Sequence, residues 1–133
     1  MSNQFLVMTS LEEFWDISKP LVFLGGWCLL HERRLYWEPL GGRLMDSPFQ
    51  GHNDVHDTYS HVDKLYELIL PLLAEVLNNL HNKSHSIRYW RIVLGPWLQV
   101  YLAVVYDRFQ HIMYALSECP DLTTTVLAQS SFV

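Results

Sequence analysis

The chain has 133 residues, and its 9 Lys+Arg against 14 Asp+Glu give a formal net charge of −5 with His neutral. Half of the residues are hydrophobic and 17% are charged, which excludes intrinsic disorder. The acidic balance disfavours nucleic-acid binding, which needs clustered Lys and Arg, so we expect no nucleic-acid partner. The length predicts one domain. Two cysteines make no disulfide framework, and no signal peptide is visible, so we expect a cytoplasmic protein.

The most apolar segment, residues 92–105, is too short for a membrane span. It has 14 residues, includes Gln99 and contains the Gly95-Pro96 step. A spanning helix takes about 20 apolar residues. The segment therefore predicts a buried helix or one that lies at a membrane interface.

The first part of the chain reads as the opening of an α/β unit. Apolar runs predict strands near residues 5–9 and 21–24, and a capping-box pattern at 10–13 predicts a short helical turn between them. This order of elements favours a parallel pair, although the connection is short for a crossover. Residues 27–37 fit a helix only roughly. Glycine, proline and polar residues predict a loop over 39–57.

Two long helices are predicted next, near residues 60–82 and 86–117, from apolar residues at three- and four-residue spacing. Pro71 predicts a kink in the first, and Gly95-Pro96 predicts a kink or a break in the second. The tight connection predicts an antiparallel helical hairpin. Residues 122–127 could begin a third strand. The expected class is a helix-dominated α/β fold, with residues 1–133 as a single domain or a fragment of one.

Two segments rich in metal-ligand residues do not make a convincing metal site. His52, His56, His61 and Asp63 are close in sequence, but their segment reads as a loop and no Cys joins it. The run that starts at His31 has Leu35 where a zinc-protease helix needs its second His. We therefore predict no metal site and no resident cofactor.

The turn after the second strand has two readings. Gly25 and Gly26 follow an apolar strand, where loops of α/β proteins bind ligands and where glycine lets a ligand approach the backbone. The alternative is a simple tight turn. Cys28 likewise is either a thiolate stabilised at a helix N-terminus or a buried structural cysteine.

Two arginines, Arg88 and Arg91, are three residues apart on one predicted helix face. Arginine in an apolar helix is costly unless it is paired or binds an anion. A diphosphate or carboxylate ligand and a salt bridge within the fold are both compatible with this pattern. Asp107-Arg108 has the same two readings.

The chain resembles a known family in two segments. Residues 21–28, Leu-Val-Phe-Leu-Gly-Gly-Trp-Cys, resemble the strand–Gly–Trp–Cys opening of transferases encoded in surface-polysaccharide (O-antigen) loci and first described from Leptospira. Residues 85–92 (His-Ser-Ile-Arg-Tyr-Trp-Arg-Ile), 95–98 (Gly-Pro-Trp-Leu) and 106–108 (Tyr-Asp-Arg) resemble the central block of that family. Residues 38–59 depart from it, because the family has a Tyr-His-Trp-Asp-type stretch there. The resemblance therefore implies no contact between the acceptor and that loop.

The resemblance implies glycosyl transfer onto a surface glycan from a nucleotide-activated sugar. Family members are several times longer, so we expect this chain to be their N-terminal region, with the remainder of the same polypeptide as its partner. The implied fold is that of two-domain glycosyltransferases, in which two α/β halves face a cleft. The N-terminal half usually holds the acceptor and the other half most of the donor, so we expect no catalysis from this piece alone.

The resemblance also implies roles for particular residues. His85 is a candidate base, and Arg88, Arg91 and Arg108 are candidates for binding phosphate or an acidic sugar. Gly25, Gly26 and Trp27 would line the cleft. His85 also has a structural reading, in which Ser84 or Ser86 caps the helix. The expected location is the cytoplasm, with peripheral contact at the inner face of the cytoplasmic membrane. The competing function is a small non-catalytic helical module that binds a protein partner or a membrane surface.

Overall fold

The computed structural model describes residues 3–132 and forms two compact units, Met1–Pro48 with His111–Val133 and Phe49–Gln110. The strands are β1 (Gln4–Val7), β2 (Leu21–Phe23), β3 (Arg43–Leu44) and β4 (Leu122–Thr123), and the α-helices are α1 (Arg34–Trp37), α2 (His52–His81) and α3 (Ile87–Glu118). Short 3₁₀ turns lie at Glu12–Phe14, Gly26–Cys28, His31–Arg33, Glu38–Leu40 and Gln129–Phe132. The helix-rich α/β class is confirmed.

The first unit is built on a four-stranded parallel sheet in the order β3-β2-β1-β4. Phe5 pairs with Leu21 on one side of β1 and with Thr123 on the other, so β1 is hydrogen-bonded on both edges. The expected parallel pair is confirmed. The third strand expected in residues 122–127 is present as β4, which has two residues.

At β1 and β2 both faces of the sheet are buried, which explains why these two strands read as continuous apolar runs rather than alternating ones. Because side chains alternate along a strand, β1 and β2 feed two separate clusters. One contains Phe5, Val7, Trp15, Leu21, Phe23 and Cys28. The other contains Leu6, Val22, Leu24, Met45, Ala115 and Cys119, so the C-terminal end of α3 covers the second face.

The second unit consists mainly of α2 and most of α3. Its core joins Tyr66, Leu70 and Ala74 of α2 to Trp90 and Leu98 of α3. Pro71 lies inside α2 and Pro96 inside α3, and both helices continue past them. Of the two alternatives expected at Gly95-Pro96, the break is therefore wrong. Within residues 3–132, no helix is both long enough and apolar enough to cross a bilayer.

Parts of the loop expected at 39–57 are ordered as regular structure. β3 pairs with β2, and the backbone N–H of Met45 donates to the carbonyl of Phe23 at 2.9 Å. α2 begins at His52, where the backbone N–H of Gly51 donates to the Asp54 carboxylate at 3.2 Å. The apolar pattern of the sequence predicted neither β3 nor the first turns of α2. The reason is that the β3 side chains, and nearly all of those described over 53–61, are exposed. The rough helix expected over 27–37 is replaced by short turns and α1.

The side-chain amide of Asn78 joins α2 to the segment that leads into α3. Its oxygen accepts from the His85 backbone N–H and from Trp90 Nε1, both at 3.0 Å. Its nitrogen donates to the His85 carbonyl at 2.8 Å. Asn82, in the left-handed conformation with φ 51°, ends α2 just before this segment. One side chain therefore satisfies three groups in the connection between the long helices.

We expect Asn78→Ala to lower the free energy of unfolding by about 2 kcal/mol, because three hydrogen bonds are lost and the indole N–H of Trp90 is left without its acceptor. Chemical denaturation measures the change. Asn79→Ala is the matched control, since Asn79 is an exposed neighbour with the same helix propensity. Equal effects of the two substitutions would contradict the role given to Asn78.

Candidate functional site

The carboxyl edge of the parallel sheet brings the sequence-predicted Gly25-Gly26-Trp27 turn against the end of β1. The Val7 carbonyl accepts from the Leu24 backbone N–H at 3.0 Å and from the Cys28 thiol at 3.4 Å. The Met8 carbonyl accepts from Trp27 Nε1 at 3.2 Å. These bonds hold the turn at the edge where ligands of parallel α/β sheets bind.

The two glycines of the turn have different surroundings. A Cβ on Gly25 would lie 1.9 Å from the Trp27 ring, so glycine is needed there for the ring to lie across the backbone. A Cβ on Gly26 would meet nothing within 4 Å, and Gly26 is exposed. Gly25 therefore has a packing role, while Gly26 leaves open space beside the backbone.

His111 also belongs to this edge, and the sequence analysis did not single it out. It is the buried polar residue among those described, and its ring meets the Trp27 ring edge-on at 4.9 Å and 83°. It lies in α3, far from Trp27 in sequence. No spacing rule links two residues that only the fold brings together, so no sequence signal could have identified the pair.

A cleft of about 300 Å³ opens between the ends of β1 and β4. β2 and β3 lie on one side of β1 and β4 lies on the other, so this is the point where the strand order reverses. In open α/β sheets such a point is the usual ligand crevice. Trp15 in the cleft wall is oriented by the bond from its Nε1 to the Thr9 carbonyl at 2.9 Å. The lining residues are 5–9, 14, 15 and 124–127.

The remaining predicted site residues lie in the second unit and do not form one cluster. His85 stacks on Tyr89 with ring centroids 3.9 Å apart. Arg88 is exposed, and its side chain has no hydrogen bond or ion pair to any residue within 3–132. Arg108 donates to its neighbour Asp107 at 2.6 Å. A helix rises 1.5 Å per residue, which places Arg108 about 30 Å along α3 from Arg88.

Arg91 forms a bidentate salt bridge with Glu67, with nitrogen–oxygen distances of 2.8 and 2.9 Å. Its guanidinium also lies over the Tyr66 ring, 5.4 Å from the centroid. The hydrogen bond from Arg91 lowers the pKa of the Glu67 carboxyl, and the same bond raises the pKa of Arg91. This is the salt-bridge alternative of the sequence analysis. Binding of an external anion by Arg91 stays a prediction.

Two other candidates have structural surroundings. Cys28 is buried, and its thiol donates to the Val7 carbonyl, as expected for the structural alternative. In the described part of the chain, no three His, Cys, Asp or Glu side chains lie close enough together to hold a metal ion.

A parallel sheet with a glycine turn and a crevice at its carboxyl edge is the architecture of ligand-binding α/β enzymes. Residues 4–133 match the family model of the LIC12162 family transferase. The chain therefore belongs to this transferase family, as its two motif segments indicated. No curated protein and no solved structure shows significant similarity to the chain.

We expect Gly25→Ala to destabilise the first unit by about 2 kcal/mol, because the added methyl group overpacks the Trp27 ring. Gly26→Ala is the matched control and should change stability much less, since its Cβ meets no neighbour. Thermal unfolding followed by near-ultraviolet circular dichroism reports both stability and the Trp27 environment. Equal tolerance of the two substitutions would contradict the described packing.

The Arg91–Glu67 pair should contribute to stability at neutral pH and not in acid. The pKa of Glu67 lies below its ordinary value of 4.5, so the contribution is complete above that value and is lost as the pH falls through the lowered pKa. We therefore expect Glu67→Gln to lower Tm slightly at pH 7 and to lower it less at about pH 3. Glu75→Gln, at an exposed site on the same helix, is the control. A constant difference at both pH values would contradict the assignment.

Proposed function

We propose that this transferase is a glycosyltransferase of cell-surface polysaccharide, or O-antigen, synthesis that takes a nucleotide-activated sugar in the cytoplasm. The described chain is its N-terminal, acceptor-side part, one half of a two-domain fold in which α2 and α3 form an antiparallel hairpin. The observation that supports this most is the Gly25-Gly26-Trp27 turn at the carboxyl edge of the sheet, in a chain that belongs to a transferase family.

The crevice between β1 and β4 suits the weakly polar faces of a sugar acceptor. Phe14, beside the buried Trp15, offers aromatic surface on which the C–H face of a sugar ring can stack, and Thr125 offers a hydroxyl group. Trp15 is already oriented by its bond to Thr9, so little freedom is lost when a ligand binds. Gly26 is not among the residues that line the crevice, and the open space beside it gives an extended acceptor a second place to lie against the backbone at the same edge of the sheet.

Sugar transfer also needs a base for the acceptor hydroxyl and positive charge for the departing diphosphate. We keep His85 as the proposed base, because Asn78 fixes its backbone and Tyr89 supports its ring. Arg88, Arg91 and Arg108 remain the proposed anion-binding residues. Arg88 requires the least rearrangement, since Arg91 would first have to leave Glu67.

A substitution at Gly26 tests the proposal on the full-length enzyme. We expect Gly26→Leu to lower transfer of labelled sugar from a panel of nucleotide sugars to a glycan acceptor by about tenfold or more, because the side chain fills the space that the acceptor needs. Thermal unfolding of the variant should match that of the original protein, since no neighbour is displaced.

Two results would contradict the proposal. One is that no nucleotide sugar in the panel supports transfer. The other is that Gly26→Leu transfers at the original rate, which would remove the turn from the acceptor site while leaving the transferase class intact.

A further inference from the structure

The two long helices leave one side of their pair apolar and exposed. On the other side, Glu67 of α2 pairs with Arg91 of α3, and one turn away the Gln99 amide donates to Asp63 at 3.5 Å. A helix turns about 100° per residue, so positions two or nine residues from these four point away from them. Large apolar side chains occupy such positions and continue at four-residue spacing. They form the apolar strip, which consists of Leu72, Val76 and Leu80 of α2 and Val93, Trp97 and Tyr101 of α3.

All six side chains of the apolar strip are between 51% and 74% exposed. A helix packed on one side normally has a polar outer surface, so an exposed apolar row on both helices calls for a covering partner. The rings of Trp97 and Tyr101 are stacked, with centroids 5.1 Å apart and an angle of 18° between the planes. The strip therefore presents an ordered aromatic pair as well as aliphatic side chains.

The two parts of the apolar strip lie at different levels along the helices. The α2 part lies towards the end of α2. With α2 and α3 antiparallel, as proposed above, the salt bridge between Glu67 and Arg91 sets the register, and the α3 part lies beside the stretch of α2 that precedes Leu72. The strip therefore crosses from one helix to the other over about 30 Å, at 1.5 Å per residue.

The apolar strip has no charged residue, and charges of opposite sign lie beyond its two ends. Lys83 follows Leu80 by three residues. Asp57 lies about one helical turn before the level of Tyr101, and no Lys or Arg accompanies it between residues 44 and 63. Both side chains are exposed, and neither forms an ion pair with any residue that the structure describes. A partner with the same arrangement in reverse would neutralise both.

The size of the apolar strip also matches what a dimer requires. At about 100 Å² for an aliphatic side chain and about 200 Å² for an aromatic one, the exposed fractions correspond to about 500 Å² per copy. Two copies would therefore bury about 1,000 Å² through these side chains alone, which is the size at which specific interfaces begin. Rows at four-residue spacing are also the ridges that interlock when helices pack.

We propose that two copies of the chain pair through the apolar strip about a two-fold axis. The α2 part of each copy packs on the α3 part of the other, because the axis exchanges the two levels of the strip. The same axis brings Lys83 of each copy beside Asp57 of the other, since both lie about equally far from the middle of the strip. The absence of charge within the strip, and the acid at one end, favour a second copy over an anionic membrane surface.

Analytical ultracentrifugation of the purified protein tests the proposal. We expect a dimer, and we expect Val93→Ser to weaken it about tenfold or more, because each substitution removes two apolar contacts from a symmetric interface. Ile92→Ser is the matched control. Ile92 is an equally exposed aliphatic neighbour that lies outside the strip, so its substitution should leave the dimer unchanged. Circular dichroism checks that both variants remain helical.

A charge exchange tests the two-fold arrangement itself. Lys83→Glu and Asp57→Lys should each weaken the dimer about tenfold, because each places two like-charged pairs across the interface. The two substitutions together should restore the dimer to within about threefold of the original affinity, since the opposite charges are then only exchanged. A loss of folding would not be rescued in this way.

Four outcomes would overturn the proposal: a monomer at about 100 μM, equal effects of Val93→Ser and Ile92→Ser, a double charge variant that dimerises no better than the single ones, or binding to phosphatidylglycerol vesicles that Val93→Ser abolishes. The vesicle result would assign the strip to a membrane. The inference does not depend on the nucleotide sugar or on Gly26, so its failure and the failure of the glycosyltransferase proposal are distinguishable.

Discussion

The central strand β1 imposes the constraint on which the first unit depends. A buried strand must have its backbone groups paired along its length, and the carbonyls at its end need donors once the sheet stops. Leu24, Trp27 and Cys28 supply these donors to Val7 and Met8. The Gly-Gly-Trp-Cys segment therefore closes the end of the sheet, and the same bonds place its glycine turn where parallel sheets bind ligands.

The second unit depends on a polar contact of a different kind. Apolar packing between α2 and α3 supplies most of its burial, but such packing is tolerant of small shifts along the helices. The amide of Asn78 is directional, because it must meet the backbone of His85 and the indole of Trp90 at the same time. The contact fixes the backbone of the candidate base, so the stability of the connection and the position of His85 share one cause.

The cationic residues of the central motif divide between structural and surface roles. Arg91 is paired with Glu67 and lies over Tyr66, whereas Arg88 is exposed.

Local patterns in the sequence determined much of this protein. The apolar runs identified β1 and β2, the three- and four-residue spacing identified α2 and α3 within a few residues except at the start of α2, and the two motif segments identified the transferase family. These features depend on residues that are close together in the chain, so the spacing of apolar residues along the sequence predicts them. Only the tertiary structure decided that Arg91 forms its salt bridge with Glu67 and that the ring of His111 contacts the ring of Trp27. It also decided that the first turns of α2 are helical and that β3 pairs with β2. Exposed turns and edge strands leave no apolar period, and contacts between distant residues are selected by the fold as a whole, so no local pattern could have revealed them.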